Sequence, residues 1–311
     1  MTAADSMAGT EALRTGAAAR VVARDVLSVT GPDAASYLQG QCSQDLDGLA
    51  VGDSAEALLL SPQGKIDALL RVTRTGEESF LLDTDPGCGE AARVRLERFR
   101  LRTRVTVDAL AWACLSLRGP GASTLRVEAG PELVVPVAWP GWSGVDLLGP
   151  PPERDSDLSS WLPVGAVRCD EEPWEAARIE AGVPIGGREV TASTIAAEVG
   201  LVDRTVSFTK GCFTGQELVA RLDARGSKVA RRLCGVVVHD DLRPPVGAAV
   251  WTDDGAHEVG VLTSIAWSSR LEAVVALATL HRRVDPPEMV VVRWDGGETA
   301  AEARPLPLTT P

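Results

Sequence analysis

From residue 26 onward the chain runs in short apolar bursts separated by Gly, Pro and small polar residues, a pattern of strands and turns more than of long helices. VLSVTG (26–31) reads as a strand running into PDAASYLQ, where Pro32 suits a first helical turn and Tyr37, Leu38 and Gln41 follow on neighbouring faces. ALLLSPQGKIDALLRVTRTGEESFLLDT then alternates strands with Gly turns, an antiparallel signature. A helix is expected from Glu90 to Phe99 with Ala91 and Val94 inward, followed by LRTRVTV, whose period of two points Leu101, Val105 and Val107 to one side. Helix then strand predicts a ferredoxin-like α+β layer. From about Arg231, CGVVVHD, AAVWTDDGAHEVGVLTSI, LEAVVALATL and MVVVRW read as short strands with Asp254-Gly255 as a hairpin turn, together a small closed β domain.

Breaks in this pattern suggest the domain limits. GPPPERDSDLSSWLP (149–163) cannot continue a helix or a central strand and reads as a long surface connection. Residues 1–20 mix Ala and Gly with charged residues and are expected to be a disordered tail; 301–311, rich in Pro, reads as a second tail. The expected units are therefore 21–229, itself in two parts, and a β domain over 230–300. There is no internal repeat.

Composition narrows the function classes. A chain of 311 residues with 45% hydrophobic content can bury a sizeable core. A net charge of -12 disfavours a general nucleic-acid binder, which needs a basic surface, so any anion site must be local. The six cysteines are scattered, without a Cys-x-x-Cys pair or a histidine at ligand spacing, which argues against a zinc or iron–sulfur site built by one chain. The N-terminal segment lacks the apolar core of an export signal, so reduced thiols and a cytoplasmic location are expected, and no apolar run reaches the ~18 residues of a membrane span. Two basic runs stand out: Arg93 to Arg104, and Arg221, Arg225, Lys228, Arg231 and Arg232. Such runs are usually solvated faces, but the second could meet the anionic tail of a ligand or an RNA phosphate.

The most informative segment is KGCFTGQE, residues 210–217. Thr214 and Glu217 have capping-box spacing, which predicts a helix start near Gly215, an apolar stripe of Leu218, Val219 and Leu222, and a stop at Gly226. Cys212 precedes that start with Lys210 two residues away, and both features favour thiolate. A helix terminus is worth about 0.3–1 kcal/mol to an anion, so the field alone lowers the thiol pKa by less than about one unit. Cys212 is thus either an activated thiol or a small buried hydrophobe, and Gly211 and Gly215 either serve the site or a turn.

A second helix is expected at EEPWEAARIEAG, with acidic residues before Pro173 and Gly182 closing it. Glu180 sits in its last turn, against the negative helix end, so it either points into water or has a partner.

KGCFTGQE followed by LVARLDARG resembles the signature of the YgfZ family, folate-binding proteins related in fold to the glycine-cleavage aminomethyltransferase (GcvT-like). The resemblance extends over LSVTGPDAASYLQGQCSQDL (27–46), SPQGKIDA (61–68), WEAARIEAGVPIGG (174–187) and GVLTSIAWS (260–268). It implies an α+β fold of antiparallel and ferredoxin-like layers around a central channel, with a C-terminal β-barrel. It also implies tetrahydrofolate or another reduced folate as ligand, and a role in iron–sulfur cluster assembly or repair that indirectly supports tRNA modification, with iron–sulfur proteins or assembly factors as partners. On this resemblance Lys210, Gly211, Cys212, Phe213, Gly215, Gln216 and Glu217 form the motif, with Cys212 as the reactive group at the channel edge. Glu180 and Trp174 would hold the pterin by hydrogen bonds and stacking, with Arg178 and Arg221 also on the ligand.

Two departures qualify the resemblance. Arg24 stands where family members can carry a second aromatic, although a guanidinium can itself stack. The aminomethyl-transfer alternative uses an aspartate on the helix after FLLDTDP; here that helix reads GEAARVRLERF, and Asp83 and Asp85 before it read as turn residues. The implied function is therefore that of an accessory protein without clear turnover. Folate-dependent one-carbon transfer is the alternative, and an RNA-binding module is the weakest reading.

Overall fold

The computed structural model describes residues 3–127, 130–137, 139–224, 226, 228–240 and 242–309. In chain order, α1 (Ala3–Thr15) leads into β1 (Ala17–Val22) and β2 (Asp25–Thr30), then α2 (Ala34–Gln41), β3 (Ser54–Leu60), β4 (Ile66–Gly76), β5 (Ser79–Thr84), α3 (Gly89–Arg98) and β6 (Thr106–Leu110). β7 (Ala113–Arg118), β8 (Leu133–Pro136), β9 (Gly144–Gly149) and β10 (Ala166–Arg168) follow, then α4 (Glu171–Ala181), α5 (Val202–Thr205) and α6 (Gln216–Asp223). β11 (Arg231–Val238), β12 (Ala249–Thr252), β13 (Glu258–Ser268), β14 (Ala273–His281), β15 (Glu288–Trp294) and β16 (Gly297–Arg304) complete the chain.

The strands form two five-stranded sheets, ordered β10-β1-β7-β9-β8 and β3-β4-β5-β2-β6, and a closed barrel β11-β14-β13-β12-β15-β16. β1 and β2 are consecutive yet belong to different sheets, so the link at Ala23 and Arg24 passes from one sheet to the other. The β3–β6 sheet is antiparallel throughout and buries Leu27, Val29, Leu70 and Leu82 against α2 and α3. In the barrel, alternate Val and Ala residues of β11, β14 and β16 point inward, including Val236, Ala276, Ala278, Ala301 and Ala303. Gly255 takes the turn between β12 and β13 with φ +67, as Asp254-Gly255 predicts.

Three expectations are corrected. The expected disordered tail over 1–20 is ordered across its described residues, 3–20: α1 buries Ala12 and Leu13, and β1 pairs antiparallel with β7 and parallel with β10. Small side chains explain the misreading. Ala17, Ala18 and Ala19 are fully packed, and a Cβ on Gly9 would lie 2.5 Å from the Arg168 carbonyl oxygen, so these residues allow close approach instead of signalling disorder. The C-terminal segment likewise continues as β16 to Arg304, and beyond it the Leu308 N–H donates to the Glu180 carbonyl. On α3 the buried positions are Ala92, Arg95 and Leu96, while Val94 and Leu101 are exposed, so the inward face is displaced by one residue from the expected one.

Candidate functional site

A channel of about 360 Å³ lies between the sheets, lined by Val22 of β1, Arg71 of β4, Arg118 of β7, Asp146 of β9 and Trp174 of α4. Its floor is a chain of ion pairs. Arg24 bonds Asp83 at 2.6 Å and Asp85 at 2.5 Å. Arg71 bridges the sheets, from Asp83 at 2.9 Å to Asp146 at 2.8 Å, and Arg118 reaches Asp146 at 2.9 Å. Burial pushes the Asp146 carboxyl up, but Arg118, Arg71 and the Ser116 hydroxyl outweigh that and hold it well below the usual carboxylate range. Asp83 is fully buried in β5, not in a turn, and Arg24 is fixed by two carboxylates. No histidine, cysteine or carboxylate group among the described residues is arranged to hold a metal ion.

The side wall is aromatic. Trp139 and Trp174 meet edge to face with ring centroids 5.9 Å apart, and the Arg118 guanidinium lies 4.5 Å from the Trp139 ring centre and 5.4 Å from that of Trp174. Trp174 is buried, whereas Trp139 is half-buried and lines the same channel. Arg118 is 3% exposed, and its Nε has no hydrogen-bond partner among the described residues. A buried N–H of this kind is costly unless an acceptor completes it. Neither Trp139 nor Arg118 stands in a recognisable motif; an indole in a Pro-flanked loop, AWPGW, is the nearest signal in the sequence.

α4 begins after Asp170 and ends at Gly182, whose φ of +70 gives the left-handed residue expected there. Its two flanks serve different cavities. Trp174, Glu175 and Arg178 line the channel, whereas Ala176, Ala177 and Glu180 line a separate cavity of about 520 Å³ beside α1. Glu180 and Trp174, expected on one pterin, thus line different cavities, because six residues along a helix turn the two side chains to different sides. Glu180 does have a partner, the Ser268 hydroxyl at 2.5 Å, and burial pushes its carboxyl up against the opposing effects of Ser268 and Arg270. Arg178 is a packing hub, bonded to Glu175 at 2.7 Å, to Ser264 at 2.5 Å and to Glu189 at 3.3 Å.

The 210–217 loop has two inward anchors. Lys210 donates from Nζ to the carbonyls of Gln39, Cys42 and Gln44 at 2.6, 2.7 and 2.8 Å, and burial pushes its ammonium pKa down. Phe213 is buried with Leu58, Leu60, Ile66 and Val219. Between them Gly211 and Cys212 are exposed. Cys212 is the exposed one among the six cysteines; Cys88 is half-buried, and burial pushes Cys42, Cys114 and Cys169 up to about 12 and Cys234 to about 11. Helix α6 starts at Gln216 after Gly215, but the expected capping box is absent. Gly215 itself is the N-cap, with φ +82, and a Cβ there would lie 2.6 Å from the Ser61 carbonyl oxygen, so the turn requires glycine. Glu217 and Arg221 are exposed, and neither Cys212 nor Arg221 lines the channel. The first arginine run is largely a solvated face with local partners: Arg93 pairs with Glu90 and Glu97 and Arg104 with Asp33, while Arg95, the buried one, pairs with Asp67. In the second run Arg232 pairs with Asp285, and Arg225 lies outside the described residues.

Two intersheet layers, a channel between them and a six-stranded barrel define a GcvT-like protein, and the family comparison agrees. The GCVT N-terminal domain matches residues 14–129, and the Glycine cleavage T-protein C-terminal barrel domain matches residues 231–309; the chain belongs to this GcvT-like family. Within it the chain is similar to proteins named tRNA-modifying protein YgfZ, at 28% identity over 217 residues in Edwardsiella ictaluri and 30% over 216 residues in Yersinia pestis. These alignments span 65% of this chain and 65% of each relative, less than two thirds of the relatives' length. An uncharacterized protein of Haemophilus influenzae is 28% identical over 206 residues, 65% of this chain and 67% of the relative. The crystal structure of glycine cleavage system aminomethyltransferase T from Bartonella henselae superposes with a TM-score of 0.82 over 97% of this chain and 89% of that one, at 21% identity, a likeness of fold.

Proposed function

We propose that the protein is a reduced-folate-binding accessory factor for iron–sulfur cluster assembly or repair in the cytoplasm, supporting tRNA modification indirectly, with Cys212 as its working thiol. The observation that carries the folate part is the channel wall: a half-buried Trp139 beside Trp174, backed by the Arg118 guanidinium lying against both rings. That wall fits a flat heteroaromatic ring with acceptors on its edge, such as tetrahydrofolate. Trp139 and Trp174 would hold the ring, and Arg118 would donate to it. Arg20, Arg188 and Arg204, which also line the channel, suit the glutamate tail. When bound there, a reduced folate supplies a carrier for one-carbon units.

Cys212 stands on a braced, exposed loop, not in the channel lining, which suits a thiol offered to another macromolecule. The names of the YgfZ relatives support the link to tRNA modification. Aminomethyl transfer is the weaker reading, because the buried face of α3 carries Ala92, Arg95 and Leu96 and no carboxylate.

Anaerobic calorimetric titration with tetrahydrofolate tests the folate part. Saturable binding is expected, weakened by about 1–2 kcal/mol in Trp139→Ala through loss of stacking, and unaltered in Glu180→Gln. Absence of binding to the wild-type protein, or full affinity in Trp139→Ala, sinks this assignment of the channel.

A further inference from the structure

A recess of about 400 Å³ opens on the barrel and shares no lining residue with the channel or with the cavity beside α1. Four nitrogen-bearing side chains line it: Arg231 at the start of β11, His257 just ahead of β13, His281 at the end of β14 and Arg283 two residues beyond. Arg231 and His281 are direct cross-strand partners in the β11–β14 ladder, so two groups with hydrogens to donate stand side by side. The Arg283 backbone N–H donates to His281 Nδ1 at 3.2 Å, which leaves Nε2 to carry the hydrogen of the neutral ring. Neither the Arg231 nor the Arg283 guanidinium has an ion-pair or hydrogen-bond partner among the described residues, whereas on the same barrel Arg232 takes Asp285 and Arg293 takes Glu298. With 43 acidic residues against 31 basic ones in the chain, a carboxylate is the expected neighbour of a surface cation, so this pair is an exception. Glu258 is the carboxylate on the lining. Asp254 acts on His257 from the β12–β13 turn, but it is held by the Thr252 hydroxyl at 2.5 Å and the Ala256 N–H at 3.0 Å.

Two guanidiniums repel a cation, and no His, Cys, Asp or Glu group among the described residues is arranged for a metal ion, so the imidazoles serve here as hydrogen-bond donors. We infer that this recess is a binding site, separate from the channel, for a single phosphoryl group carried by a small molecule, a phosphomonoester. Two forked guanidiniums and an imidazole N–H match the three terminal oxygens and the double negative charge of such a group better than they match one carboxylate. Glu258 and the chain's net charge of -12 oppose an extended polyanion, which favours one local phosphoryl group over a nucleic-acid strand. The volume leaves room beside the phosphoryl group for a sugar-sized remainder, and Glu258 is available to accept from one of its hydroxyls.

The histidines make the test direct, because His257 and His281 line the recess while His239, the third in the chain, follows the opposite end of β11. The full chain, labelled with carbon-13 in its histidine rings, is titrated by NMR with ribose 5-phosphate, inorganic phosphate, dimethyl phosphate and an RNA oligonucleotide lacking terminal phosphates. Ribose 5-phosphate is expected to shift His257 and His281 saturably and to leave His239 in place, with inorganic phosphate shifting the same pair. Dimethyl phosphate, with one charge fewer, should bind about tenfold more weakly. Arg231→Gln and Arg283→Gln should each weaken ribose 5-phosphate by about tenfold, the loss of one charge-assisted hydrogen bond, while the melting temperature stays at the wild-type value because both side chains are exposed. The inference is overturned if no phosphate probe saturates below ~10 mM, if His239 shifts along with the other two, if both arginine variants bind as the wild type does, or if dimethyl phosphate or the RNA binds as tightly as ribose 5-phosphate.

Discussion

Lys210 donates from Nζ to the Cys42 carbonyl oxygen at 2.7 Å, joining positions 168 apart in the sequence, and its other strong bonds go to the carbonyls of Gln39 and Gln44. The ammonium therefore ties the loop holding Cys212 to the end of α2, with the opposite end of the loop held by Phe213 in the core. A lysine chosen for its charge beside a thiol would not need three carbonyl acceptors. Lys210→Met leaves those acceptors unmet and is expected to destabilise the protein by about 2–4 kcal/mol, since hydrogen bonds to charged groups are worth about 1.5–3 kcal/mol each and part of the loss is recovered by hydration. Urea denaturation measures it; a variant with wild-type stability would show that the ammonium is dispensable to the loop.

Asp146 joins Arg71 and Arg118 across the channel floor. Its folded pKa lies below the unfolded value of about 3.9, so its contribution is present above that unfolded value and is lost as pH falls through the folded one. Asp146→Asn is expected to cost about 3–5 kcal/mol near pH 7, the range for removing one partner of a buried pair. The gap to wild type should narrow once pH falls below about 4. A gap that stays constant down to pH 2 would mean that the carboxylate charge is not what matters there.

Glu180 titrates in the opposite sense. Burial raises its folded pKa above the unfolded one, so the stability it contributes is complete below about pH 4.3 and is lost as pH rises through the folded value. Glu180→Gln carries no such loss. The variant's melting temperature relative to wild type should therefore be higher at pH 7.5 than at pH 4.5. An unchanged difference between these pH values would indicate that the carboxyl ionises as freely in the folded protein as in the unfolded chain.

What the sequence discloses depends on how local the determinant is. The barrel and the β3–β6 sheet were legible because alternating apolar runs and Gly turns are local signals; α1 and β16 were missed because their Ala and Gly residues pack closely without looking apolar. The limits of α4 follow from Pro173 and Gly182, but which of its flanks faces the channel depends on both sheets and the barrel, so the sequence does not show that Glu180 and Trp174 line different cavities. Arg71 and Arg118 give no signal, and Arg24 reads in the sequence only as a guanidinium standing in for an aromatic. Their roles come from Asp83, Asp85 and Asp146, whose positions are set only by strand pairing between distant segments.

Cys212 provides the last prediction, and its basis is access. Iodoacetamide near neutral pH should label Cys212 well before Cys42, Cys114, Cys169 and Cys234, because those four thiols are buried and have raised pKa values, and rate follows thiolate fraction and exposure. Cys88, half-buried and also raised, should come second. Cys212→Ala should then fold normally and bind tetrahydrofolate with wild-type affinity, since the exposed thiol packs against little and the channel is lined by other residues. In cells lacking the native protein, the same variant should fail to restore iron–sulfur enzyme activity, and Cys212→Ser should fail with it, because a hydroxyl supplies neither a soft ligand nor sulfur redox chemistry. Restoration by the alanine variant would reduce the 210–217 loop to a braced turn, and the accessory role would then rest on the channel alone.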